Sequence, residues 1–201
     1  MAIIHRADLR PSKLELLAGW VPGRPWGTPA GLAQAGAYRF DDPAGEVGVE
    51  TIVLRAGEAL LHVPLTYRGA PAPAQEAHLV GTLEHSVLGR RWVYDACGDP
   101  VYVAAVLAGA AQAEELVVTG GGQERREPTA RVTGQGVTGD AGPLGGLTVT
   151  DSAEATTVRA GDLELVVHRV LDPAATVDGA TLTGTWAGQD RSVPLAAARR
   201  L

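Results

Sequence analysis

An α+β fold of mostly antiparallel sheets, with one N-terminal and one central helix packed on the sheet, is the architecture the sequence predicts. Three observations lead to it. Short runs of alternating apolar residues recur along most of the chain, glycine- and proline-rich turns separate them, and only two segments carry helix signals. With 201 residues, 45% of them hydrophobic, the chain can bury a full core as one domain or as two closely packed lobes.

Residues 11–20 read as a short helix, because Leu14, Leu17 and Ala18 fall on one face and Gly19 and Pro22 stop it. The turn-rich stretch that follows carries Trp20 and Trp26, which are expected to pin it to the body. Strands are predicted over residues 37–40, 47–55 and 59–67, then over 78–85 and 91–94, together an antiparallel meander. Asp99 followed by Pro100 predicts the N-cap and first turn of a second helix over 101–112. A strand over 115–119 and a polar linker over 123–129 come next, with a soft boundary between residues 1–122 and 123–201. The remainder reads as strands over 130–133, 147–150, 155–159, 163–171, 181–186 and 192–198. The two parts are expected to pack as one unit.

Composition excludes several functions. The net charge of −6 is spread without a basic block, so no nucleic-acid partner is expected. No apolar run is long enough for a membrane span, and the opening residues lack a signal-peptide core, which predicts a cytoplasmic protein with no membrane partner. The single cysteine, Cys97, reads as a small buried hydrophobe. Lys13 is the only lysine, and asparagine is absent. The Arg, Ala and Gly bias has the look of a GC-rich bacterial genome.

Three segments carry a resemblance. They are Trp20-Val21-Pro22-Gly23-Arg24-Pro25-Trp26, then Val93-Tyr94-Asp95-Ala96 with Asp99-Pro100, then the hairpin of residues 156–169, which ends in Val166-Val167-His168-Arg169. Together they resemble the maltokinase family, in which a curved-sheet cap precedes an aminoglycoside-phosphotransferase-like kinase. Pro25 stands where the family prefers arginine. The resemblance implies a cap-like part over 1–122 and the start of a kinase N-lobe over 123–201. It also places the family's nucleotide-contacting lysine at Val166, and alternation puts Arg169 on the opposite strand face, so it is no substitute. With no such lysine, and the chain ending at Leu201 before any catalytic loop or metal-binding Asp, phosphoryl transfer is not expected and no cofactor is implied.

Other constellations point to less. Residues 134–139 satisfy Gly-x-Gly-x-x-Gly, but the following Asp140-Ala141-Gly142-Pro143 opens no helix, so a hairpin loop is predicted. His78 and His85, seven apart, fall on opposite strand faces, and His62 lies on a neighbouring strand, so no metal site is expected. Glu84-His85-Ser86 has the residue types for nucleophilic catalysis without the geometry. Asp41, Asp42, Glu46 and Glu50 read as a solvated acidic turn. Trp92, Tyr94, Tyr67 and Trp186 are the candidate aromatic platform for a sugar ligand, with His62 and His85 beside it.

The leading expectation is a non-catalytic interaction or regulatory module for a separate kinase-like or carbohydrate-metabolism partner. The alternative is a small-ligand β-barrel-type enzyme using His62, Glu84 and His85. A third is a homodimer formed through exposed strands.

Overall fold

The computed structural model describes residues 2–29, 31–119, 122–137, 144, 146–176, 178–179 and 181–201. The chain opens with β1 (Ala2–His5), β2 (Leu9–Arg10) and the helix α1 (Lys13–Trp20). Ser12 caps α1 through a capping box: its side chain accepts from the Glu15 amide, and the Glu15 carboxylate accepts from the Ser12 amide at 2.8 Å. Five strands follow: β3 (Leu32–Phe40), β4 (Gly48–Ala56), β5 (Ala59–Arg68), β6 (Leu79–His85) and β7 (Gly89–Asp95). The helix α2 (Pro100–Leu107) precedes β8 (Glu115–Thr119) and β9 (Gly122–Arg126). Then come β10 (Ala130–Gly134), β11 (Thr148–Asp151), β12 (Ala155–Ala160), β13 (Leu163–His168), β14 (Val170–Leu171), β15 (Leu182–Trp186) and β16 (Gln189–Arg200). The fold is α+β and mostly antiparallel.

The largest sheet runs β2-β6-β7-β5-β4-β3, with β14 also paired to β5. It departs from a simple meander. A 3-10 stretch over Pro73–His78 carries the chain past the neighbouring position, so β7 lies beside β5 and β6 lies outside it. One edge of β5 takes two partners in turn: Leu60 and Leu61 pair with β14, and Leu65 to Arg68 pair with β7.

Strand alternation divides the residues of this sheet between two cores. One face buries Ile52, Leu54, Leu61, Val63, Leu65 and Val93 against Leu17 of α1 and against Trp26. The fully buried Leu17 side chain contributes roughly 1.5–3 kcal/mol by leaving water. The other face buries Tyr38, Phe40 and Val53 with Tyr102, Val103 and Val106 of α2. This second core continues into Leu165, Val167, Leu182 and Val193 of the six-stranded sheet β10-β15-β16-β13-β12-β11. Both parts of the chain thus share one apolar interior.

Several elements differ from expectation for identifiable reasons. The polar linker is the strand β9, whose exposed residues give no apolar alternation and whose pairing with β8 rests on the backbone ladder. The strand β1 is unannounced locally because its parallel partner, β8, lies more than a hundred residues away. The second helix stops at Leu107, since Gly109 sits at φ +64° with the Gly136 backbone packed against it, leaving no room for a Cβ. The predicted strand over 163–171 breaks at Arg169, so β13 and β14 belong to different sheets. In the Gly-x-Gly-x-x-Gly segment, Gly134 ends β10. Its Thr138 and Gly139, and residues 140–143, lie outside the described residues.

Candidate functional site

The three resembling segments meet at one buried joint. Arg169 is fully buried, and its Nη2 donates to both oxygens of Asp95 at 2.6 and 2.5 Å, while its Nε donates to the Thr156 hydroxyl at 2.7 Å. Its guanidinium lies 4.7 Å from the centre of the Trp26 ring. Trp26 meets Trp20 edge to face at 5.5 Å, and Arg24 covers Trp20 at 5.1 Å. Burial favours loss of the Arg169 charge, but Asp95 outweighs it, so the pKa is raised further. Asp95 also accepts from the Cys97 amide, and burial pushes the Cys97 thiol pKa well up, which keeps it an inert core thiol. Val166 is half-buried on β13, paired with Thr157 and Ala197 in the ordinary ladder.

A second joint ties α2 to the large sheet. Asp99 caps the helix by accepting from the Val101 amide at 3.0 Å, and the same carboxylate receives Thr66 at 2.8 Å and two nitrogens of Arg68.

The concave site lies elsewhere, at the end of the large sheet where the β3–β4 turn, the end of β5 and the β6–β7 hairpin come together with β1. The cleft has a volume of about 470 Å³, within the range of small-molecule sites. Phe40, Val47, Val49 and Leu83 supply apolar lining, and Lys13, Arg39, Tyr67 and Arg91 supply polar groups. Behind them Glu50 is buried and accepts from Lys13 at 2.5 Å, Arg39 at 2.6 Å and the Tyr67 hydroxyl at 2.8 Å. Burial works to raise the Glu50 pKa, but Arg39, Lys13 and their hydrogen bonds prevail and hold it at about 2. Lys13, the only lysine, also sits 5.5 Å above the Tyr67 ring. Glu50 is therefore not part of a solvated acidic turn. Asp42 does organise that turn, accepting from the amides of Ala44, Glu46 and Val47.

The predicted site residues separate. His62 lies in the core: its Nδ1 faces the His168 carbonyl at 3.0 Å and its Nε2 faces the Tyr38 hydroxyl at 2.9 Å. A carbonyl only accepts, so Nδ1 carries the proton and Nε2 accepts from Tyr38. Glu84 points away from His85 on β6 and pairs with Arg90 at 2.6 Å on the exposed surface. His85 lines the cleft, its Nδ1 accepting from the Val87 and Leu88 amides and its ring meeting His5 edge to face at 6.1 Å. His62, Glu84 and His85 thus do not converge.

The aromatic platform also divides. Tyr67 pairs with Val93 across the ladder, so it faces opposite to Trp92 and Tyr94, and Trp186 belongs to the other sheet. Tyr94 is buried with its hydroxyl accepting from the Ala72 amide at 2.8 Å, while Trp92 is half-buried. Of the predicted set, only Tyr67 and His85 share the cleft. Lys13, Arg39 and Arg91, which complete it, come from elements far apart in sequence. Among the described residues no three His, Cys, Asp or Glu side chains cluster as metal ligands, and no helix is long and apolar enough to cross a membrane.

A large antiparallel sheet with a helix on each face, closed by a second sheet and carrying a charged cleft at one end, defines an α+β domain with a built concave site. Residues 20–99, which are 80 of the 201, match the family model described as the maltokinase N-terminal cap domain. This stretch is similar to the cap domain of that family. It contains the first resembling segment and the second up to Asp99, whereas the hairpin bearing Arg169 lies beyond it. No curated protein matches the chain.

Proposed function

We propose that the chain is a non-catalytic interaction module acting with a kinase-like or carbohydrate-metabolism partner, which docks at the lip of the cleft. The observation that carries this reading is the placement of exposed apolar side chains. Ile3, Val87 and Leu88 are 54%, 56% and 44% exposed, and Ile3 and Leu88 both border the cleft. They are three of the four large apolar residues exposed among the described residues. An apolar rim around a polar concavity is the surface a partner covers at a profit in buried area. Binding also suits the chemistry behind the cleft: Glu50 is held in buried hydrogen bonds to Lys13, Arg39 and Tyr67 and is not free to exchange protons with a substrate.

The test is sedimentation velocity on the chain mixed with a purified kinase-like protein from the same organism, repeated with Val87→Asp/Leu88→Asp. A complex that the double variant weakens at least tenfold, roughly the 1.4 kcal/mol that one buried anchor supplies, is expected. Equal binding by both forms, or self-association with no mixed complex, would contradict the reading.

A further inference from the structure

We infer that the cleft binds a small oxyanion, a carboxylate or phosphate group, with Arg91 as its main charge partner. The cations around the cleft differ in how far protein carboxylates neutralise them. Lys13 and Arg39 share the one carboxylate of Glu50, and Glu115, 3.9 Å from Arg39, is already bonded to Arg126. Arg91 has no ion pair among the described residues. Its Nη2 donates to the Leu88 carbonyl at 2.8 Å, and its Nε is buried without a hydrogen-bond partner. A guanidinium at the cleft with no carboxylate paired to it favours the negative charge of a carboxylate or phosphate ligand.

The local potential agrees with this geometry. The His85 pKa is lowered first by burial and then by His5, Arg91 and Lys13, so this end of the cleft is positive. The acids lining the cleft, Asp41, Asp42 and Glu46, all lie on the β3–β4 turn, which the ladder places on the far side of β5 from Arg91. An anion seated at Arg91 meets the basic wall, away from the acidic turn. The site borders the proposed docking lip but does not rest on partner docking, because anion binding is tested on the chain alone.

Isothermal titration of the full chain at low ionic strength tests this, using inorganic phosphate and succinate in separate runs and glucose as a neutral control. One equivalent of phosphate or succinate is expected to bind. Arg91→Gln should weaken binding at least tenfold, Arg91→Lys should weaken it less, and Arg90→Gln, on the surface pair with Glu84, should leave it unchanged. Whichever anion binds identifies the source of the oxyanion, and if both do, competition for one site supports the assignment. No heat with either anion, unchanged binding by Arg91→Gln, or equal losses in Arg90→Gln and Arg91→Gln would overturn it. Matching thermal midpoints of Arg91→Lys and the parent chain establish that any loss is not unfolding.

Discussion

Replacing Arg169 by alanine is expected to lower the unfolding free energy by about 3–5 kcal/mol, because removing one member of a buried ion pair leaves the other charged and unpaired. The orphan here is Asp95, which is 5% exposed and would retain the neutral Cys97 donors but no cation. Thr156 would also lose the donor from Arg169, and Trp26 the cation above its ring. With a urea m-value of roughly 2 kcal/mol/M, the midpoint should fall by about 2 M. Asp95→Ala should cost a similar amount by stranding Arg169. Exchanging both for apolar residues of similar volume should cost distinctly less than either single change, since neither charge then remains buried alone. Urea titrations of the three variants check this. A loss below 1 kcal/mol for Arg169→Ala would mean that the pair is not the joint.

Acid should destabilise the protein through His62 before the carboxylates begin to titrate. Burial, reinforced by the charge of Arg169, lowers the His62 pKa from its ordinary value to about 3. The folded state therefore keeps the ring neutral while the unfolded chain binds a proton below about pH 6.5. The unfolded state binds more protons throughout that window, so stability is lost as pH falls from about 6.5 towards 3. Between pH 6.5 and 4.5 this one group should remove roughly 2–3 kcal/mol. In His62→Gln that increment should vanish from the difference in stability between the two pH values, even if the variant is less stable at pH 7. Equal pH slopes in the two proteins would show that His62 is not held neutral.

The sequence made much of the large sheet legible because its strands alternate with buried and exposed positions and are punctuated by local turns. Helix α2 was legible from Asp99 and Pro100, which act locally as cap and first turn. What stayed hidden depends on distant partners. Nothing within Ala2–His5 announces a strand whose mate begins at Glu115, and β9 lies flat on β8 with charged side chains outward. Alternation places Arg169 on the strand face opposite Val166 but does not show that Asp95 is brought to it from 74 positions away. The only advance signal was that both lie in segments of the same family resemblance, which turns out to mark a packing joint. The cleft was half legible. Tyr67 and His85 were among the candidates, but Lys13, Arg39 and Arg91 converge from α1, β3 and β7, a grouping that no local spacing encodes.

Whether the cap segment and the later hairpins close as one body around Arg169 is read most directly by residue-resolved amide hydrogen exchange. The His62 amide donates to the Arg169 carbonyl at 2.8 Å, the Arg169 amide donates to the Glu154 carbonyl at 2.7 Å, and β13 pairs with β12 and β16 on the other side of the joint. These amides should exchange through a single opening, with the same free energy as global unfolding, and Arg169→Ala should lower that free energy equally in β5 and β13. Protection that persists in β4 and β5 while β12, β13 and β16 exchange at a much lower free energy would contradict a shared joint, and would make the later sheet an appendage to an independently stable cap.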